Sequence, residues 1–252
     1  MSELQFQKAL TMLIRLPDHN RTDIENFLKK YQLEDHELEN LLHLAKHREV
    51  QKFGFKLRRF RVEFFIQALP LSLEHILEKD LIDFYRKEFE PYFFDIEARS
   101  VYRNFRQFFM QFKKRQSDAL FEKYFGKNLP DYFFDLMEFE LIEGELEFQG
   151  FVDHELAKLP LLHHKFETLS LDFKIHEYAQ EKRNLSKEEG SSLVPELQKT
   201  HLLFLHTDEN RYGHQVFEID EIGVNFLNKS RLGQSAEPPP YYEDFKACGL
   251  CS

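Results

Sequence analysis

The sequence predicts an α+β protein that is mostly α: an N-terminal all-α helical domain followed by a small winged-helix-like module. Three observations carry that expectation. Gly and Pro are sparse, at 9 each in 252 residues, so long stretches run without a breaker. Apolar residues in the first 150 positions recur at spacings of three and four. Near the C-terminus two short apolar runs, Leu202 to His206 and Gln215 to Ile219, lead straight into an amphipathic stretch, Asp220 to Asn228, the order of a hairpin feeding a helix. The implied division is a helical domain over 1–150, the module over 151–232 and a flexible Pro- and Cys-containing tail over 233–252. Trp is absent and Phe reaches 28, so the core must be filled by Phe rings.

In order along the chain, Phe6, Leu10, Leu13 and Ile14 space a first helix that stops at Pro17. Thr22 and Glu25 have the spacing of a capping box ahead of Ile24, Phe27, Leu28 and Tyr31, and Asp35 precedes Leu38, Leu41, Leu42 and Leu44. The next helix, Arg48 to Leu69, ends before Pro70 and divides into an apolar face of Phe53, Leu57, Phe60 and Phe64 and a basic face of Arg48, Lys52, Lys56 and Arg59. Leu73 to Phe89 predicts a further helix closed by Pro91, and Ile96 to Tyr124 a long one with Val101, Phe105, Phe108, Phe109 and Phe112 inward. Gly126 and Pro130 mark a turn, after which Asp131 caps a helix over Tyr132 to Gly144. One strand is expected in Leu161 to Tyr178, where Leu169, Leu171, Phe173 and Ile175 alternate, and an exposed loop over Arg183 to Ser192. The hairpin of Thr200 to Thr207 and His214 to Ile219 follows, then the amphipathic helix, then an extended tail with the triplet Pro238 to Pro240.

A formal net charge of -10 argues against an extended phosphate-tracking surface, so nucleic acid is not the expected partner. The one strongly positive segment is Arg48 to Arg61, read either as a solvated helix face or as a surface for an acidic partner. No apolar run reaches the length of a membrane span, and the only cysteines, Cys248 and Cys251, suit a reducing compartment; a cytoplasmic protein with no membrane contact is expected. Motifs of catalysis are missing: His154-Glu155 lacks the second His of a zinc helix, His163 and His164 are adjacent, and there is no nucleophile elbow or Gly-rich phosphate loop. The run Glu138, Glu140, Glu143, Glu145 and Glu147 reads as a solvated surface. Cys248-Gly249-Leu250-Cys251 has the spacing to hold a soft metal or form a short disulfide, though four residues do not complete a tetrahedral site. No catalytic, metal or cofactor residue is assigned, and binding leads over catalysis.

Four stretches in order resemble a known family: Leu57-Arg58-Arg59-Phe60-Arg61 leading to Ala68-Leu69-Pro70; the run Leu129-Pro130-Asp131-Tyr132-Phe133-Phe134-Asp135-Leu136-Met137-Glu138-Phe139-Glu140; Leu169 to Tyr178; and Thr200 to Leu205 followed by Val216 to Asp220. They are similar to the MbnC-like partner subunits of methanobactin biosynthesis and to a related family labelled DNA-binding, over Arg48 to Leu232. The resemblance implies a non-catalytic companion, in a heterodimer, of a TIM-barrel multinuclear non-haem iron oxidase acting on peptidyl cysteine. The iron would sit in the partner. It also implies a C-terminal module that binds the leader of a ribosomally made, post-translationally modified precursor peptide. Gln215, Val216, Phe217, Glu218 and Ile219 would then receive the leader main chain to main chain, with Ile222 and Phe226 beside it; Phe217, Ile219, Ile222, Val224, Phe226 and Leu227 divide between groove and core in a way the sequence leaves open. Arg48, Lys52, Lys56 and Arg59 would face the partner. Two departures are that the bundle over Met1 to Ala45 exceeds the family's minimum and that Tyr102 to Leu129 is short. The ending Ala247-Cys248-Gly249-Leu250-Cys251-Ser252 also looks like the Cys-Gly-x-Cys core that such oxidases modify, as in a substrate fused to its own recognition subunit, with Cys248 the modified residue. The alternatives are a winged-helix DNA-binding regulator and a metal or redox protein acting through Cys248 and Cys251.

Overall fold

The described residues are mostly helical with a three-stranded antiparallel sheet, an α+β arrangement as the patterning predicts. The computed structural model describes residues 9–10, 34–89, 101–114, 119–148, 166–185, 190, 192–206, 214–247 and 250. Expectations on the first two helices, on His154, His163 and His164, and on Cys248 and Cys251 lie outside these residues. Among the described residues no helix is long and apolar enough to cross a membrane, and no group of three or more His, Cys, Asp or Glu is placed to hold a metal ion. They form two compact units, one drawn from Met1–Gln67 and Leu81–Glu97, the other from Ala68–Asp80 and Ala98–Ser252.

In the first unit, α1 (Asp35–Lys46) and α2 (Arg48–Gln67) are separated by His47 alone. The Glu37 carboxylate accepts from the Glu34 N–H at 2.9 Å, one half of a capping box that opens α1. The apolar face expected of α2 is not the buried one. Phe53 and Phe60 are 52% and 55% exposed, whereas Gly54, Val62 and Phe65 are buried. The seam therefore lies rotated from the stripe that sequence spacing selected. Phe65 packs on Tyr85 with ring centroids 5.1 Å apart, and Tyr85 on Phe89 at the same distance. The single helix expected over Leu73 to Phe89 is instead a 3-10 turn at Ser72–Glu74, then α3 (Glu78–Phe84), then a π-helical turn at Tyr85–Phe89.

The second unit holds α4 (Val101–Lys114), α5 (Ala119–Phe125) and α6 (Phe133–Phe148), then β1 (Phe166–Leu171), α7 (Ile175–Asn184), β2 (Thr200–His206), β3 (His214–Ile219), α8 (Glu221–Arg231) and α9 (Tyr242–Ala247). The expected Phe core is present: Phe109 lies 5.6 Å from Phe105, 5.6 Å from Phe121 and 5.4 Å from Phe134. Two expected helices differ in extent. The long helix over Ile96 to Tyr124 is described as α4 and α5, and α6 runs past Gly144 to Phe148. At Gly144 α6 is tightly packed; a Cβ there would lie 2.5 Å from the Ala68 Cβ. The expected alternation through Phe173 and Ile175 ends early, since Ile175 already opens α7.

The sheet order is β1-β2-β3 with both pairs antiparallel. β2 is the middle strand, and its run Leu202, Leu203, Phe204, Leu205 is buried throughout. A strand covered on both faces loses the apolar and polar alternation and reads as one apolar block. Leu202 and Phe204 join Leu169 and Leu171 of β1 against Leu136, Phe139 and Ile142 of α6 and Tyr178 of α7. This core spans position 150, so α6 and the sheet share one interior. On the opposite face Phe166, Leu203 and Leu205 pack with Phe226 and Leu227 of α8, Phe245 of α9 and Leu250. The tail expected to be extended and mobile is helical at Tyr242–Ala247 and supplies Phe245, 5% exposed, and Leu250, fully buried, to that core.

Candidate functional site

β3 is an edge strand, and its exposure fits one. Pairing places His201 opposite Ile219 and Leu203 opposite Phe217, so these four side chains share one face of the sheet. Beside them lies a groove of about 800 Å³ lined by Lys199, His201, Leu203, Phe217, Ile219 and Phe245, with Glu218, Asp220, Glu221, Tyr241 and Asp244 completing its wall. Phe217 is 39% exposed, an aromatic ring left in water on a strand whose outer main chain is unpaired among the described residues. An open edge next to an apolar concavity offers a ladder for an added strand and seats for its alternate side chains.

The end of the groove is held by Asp220. As N-cap of α8 its carboxylate accepts from the Gly223 N–H at 2.8 Å and from the Tyr241 hydroxyl. These donors hold its carboxyl below the usual range, the Tyr241 bond contributing most. Tyr241 moves the other way: burial, then its bond to Asp220, pushes the phenol up to about 12. A Cβ at Gly223 would stand 2.3 Å from the Tyr241 hydroxyl, so a larger residue there displaces the end of the Tyr241 side chain. At its other end α8 closes in a Schellman turn, with Gly233 at φ 69, its N–H donating to the Ser230 carbonyl at 3.0 Å and the Gln234 N–H to the Lys229 carbonyl at 2.9 Å.

The sheet's other face packs against α6 and α7, and a set of charges is buried near it. The expectation that Glu138 to Glu147 forms a solvated run is corrected by Glu140, fully buried, and Glu145, 3% exposed. The Glu140 carboxylate accepts from the Leu71 and Ser72 N–H groups at 2.8 and 2.9 Å, satisfying the donors that open the 3-10 turn. Burial pushes its pKa up to about 7 against those two donors. Arg103 lies 3.2 Å from Glu145 and also bonds Glu167 of β1. Asp135, 2% exposed, accepts from the Asp172 N–H at 2.6 Å and the Phe173 N–H at 3.1 Å while pairing with Lys113. Glu140, Asp135 and Glu167 each tie a turn or strand to a helix distant in sequence, and Glu145 ties α6 to α4 through Arg103, a structural use of buried charge.

Of the residues expected to receive a peptide, Gln215, Phe217 and Glu218 are exposed and Val216 and Ile219 half-buried. The open division on α8 resolves: Phe226 and Leu227 are core at 5% and 0%, Val224 is half-buried and Ile222 is 53% exposed. Phe226 thus stands behind the groove, not in it. Arg48, Lys52, Lys56 and Arg59 are all exposed on α2, with Lys52 2.9 Å from Glu49 and Arg59 2.7 Å from Glu63. On α8, Arg231 is engaged 5.2 Å above the Phe166 ring and 3.6 Å from Glu167, which leaves Lys229 as its other cation. Sequence reasoning missed Lys199, His201, Leu203, Tyr241, Asp244 and Phe245. The signal for the β2 pair was present in the hairpin register, and Tyr241 to Phe245 has a helical i, i+4 spacing. Compared with known protein families and with curated proteins, the chain matches none.

Proposed function

We propose that this chain is a non-catalytic binding subunit that receives an extended peptide along β3 in a winged-helix-like module and presents it to a separate enzyme. The observation that carries the reading is the edge of β3, unpaired among the described residues, lying beside an apolar-floored groove that Phe217 and Ile219 line. Main-chain pairing supplies affinity without regard to sequence, and the groove supplies selection. Buried charges elsewhere in this unit are spent on turns and strand anchoring, which fits a scaffold better than an active site.

The resemblance to MbnC-like subunits adds the identity of the two partners: a precursor peptide made on the ribosome, and a multinuclear non-haem iron oxidase that modifies its cysteine. The exposed basic face of Arg48, Lys52, Lys56 and Arg59 is the proposed contact for that enzyme. Co-expression with such an oxidase, purified through a tag on this chain alone, tests the pairing. Recovery of iron-loaded oxidase in about equal amount with the tagged chain is the expected result, and recovery of the tagged chain alone would remove the oxidase from the proposal.

A further inference from the structure

The groove carries charge, and that charge narrows its occupant. Its floor is Leu203, Phe217, Ile219 and Phe245; its wall holds Glu218, Asp220, Glu221 and Asp244 against Lys199 and the imidazole of His201. Two of these carboxylates are otherwise placed. Asp220 is engaged by Tyr241 and Gly223, and Glu218 stands opposite Leu202 in the alternation that points away from Phe217. Glu221 and Asp244 are exposed, and among the described residues neither has an ion-pair partner.

An added strand sets its own spacing. Every second side chain falls on the groove face, about 7 Å apart along the strand. Phe217 and Ile219 are one such step on β3, whose chain then passes through Asp220 into Glu221 at the start of α8; these two and Asp244 also line the groove. Resting on the strand-pairing reading above, we propose that the groove selects a peptide with two apolar residues separated by one position and then, two positions further toward the Asp220 end, a Lys or Arg. The apolar pair covers Phe217 and Ile219, and the cation meets Glu221 and Asp244. A chain with a net charge of -10 adds a long-range preference of the same sign.

Fluorescence anisotropy on the full chain tests this with labelled synthetic peptides of about ten residues, long enough to span a strand. One carries the apolar pair and Arg in a Thr-rich frame, a second has Glu in place of Arg, and two more repeat the Arg peptide with alternate amides N-methylated in either register. The Arg peptide is expected to bind about tenfold more tightly than the Glu peptide. Glu221→Gln with Asp244→Asn should bring the two together, and Glu221→Lys with Asp244→Lys should invert them, with thermal melts confirming that each variant folds. One methylated register should abolish binding.

Equal affinity for the Arg and Glu peptides, a preference for Glu, or a preference unmoved by both double variants overturns the charge assignment while the strand-pairing reading stands. Full binding of both methylated peptides overturns strand pairing itself. Failure of every peptide to bind, or sedimentation of the chain as a dimer that the Arg peptide leaves intact, overturns both.

Discussion

The two faces of the one sheet are made from the same three strands and finish differently. Toward α6 and α7 the face is sealed: Leu202, Phe204, Leu169 and Leu171 meet helices, and nearby charges are matched across long stretches of sequence, Glu140 to Leu71 and Ser72, Asp135 to Asp172 and Phe173. Toward α8 and α9 the cover reaches Leu203 and Leu205 but leaves Phe217 and Ile219 beside a groove at an open edge. Buried carboxylates bonded to distant main chain, Glu140 and Asp135, mark where this fold is held. Apolar surface beside β3, whose outer side is unpaired among the described residues, is the proposed binding site.

The largest expected effect separates the two phenylalanines that stand on the contrasting faces. Phe204→Ala empties a fully buried site and should cost about 3–5 kcal/mol in denaturant unfolding. Phe217→Ala, at 39% exposure, should cost less than about 1 kcal/mol yet weaken binding of the Arg-containing peptide about tenfold. Equal stability losses would erase the distinction between the faces. Next comes Gly144→Ala, which helix propensity alone would favour; its Cβ meets Ala68 at 2.5 Å, and a loss of about 1–3 kcal/mol is expected by the same measurement.

A third test sharpens the sealed side. Glu140 has a folded pKa raised to about 7, so between its unfolded value of 4.5 and 7 the native state binds the extra proton. The Glu140 contribution to stability is then fullest at low pH and falls as pH rises through that window, by on the order of 3 kcal/mol. Glu140→Gln should remove that slope from a comparison of unfolding at pH 5 and pH 8. His176 and His214, whose pKa values burial lowers, act in the opposite sense and remain in both proteins. The smallest effect is at the groove end: Gly223→Ala should shift stability by less than about 1 kcal/mol, because added helix propensity offsets a displaced Tyr241. Ultraviolet titration should nonetheless show the Tyr241 phenol falling from about 12 toward its ordinary value.

The contrast between the faces also explains what was legible in the sequence. Helices α1, α2, α4 and α6 announce themselves by period, and β2 and β3 by short apolar runs, since these signals are local. The roles of Asp135, Glu140 and Arg103 are not local: their partners lie 37, 69 and 64 positions away, and a run of Glu reads as solvated when its donors are out of sight. Phe53 and Phe60 mislead for the related reason that a helix has several apolar spacings and only packing selects one. The tail misleads because Pro238 to Pro240 is a stronger local signal than the Tyr241 to Phe245 spacing, although Phe245 belongs to the core beside the groove. The strand that forms the candidate site was readable; its wall, assembled from β2, α8 and α9, was not.

Amide hydrogen exchange on the full chain, with and without the Arg-containing peptide, tests the central claim most directly. Bound main chain on an edge strand must close amides that were open, so the account predicts slowed exchange across Gln215 to Ile219 with β2, already paired on both sides, unchanged. Protection that appears at β1 or on α2 and leaves β3 exchanging as before would contradict it.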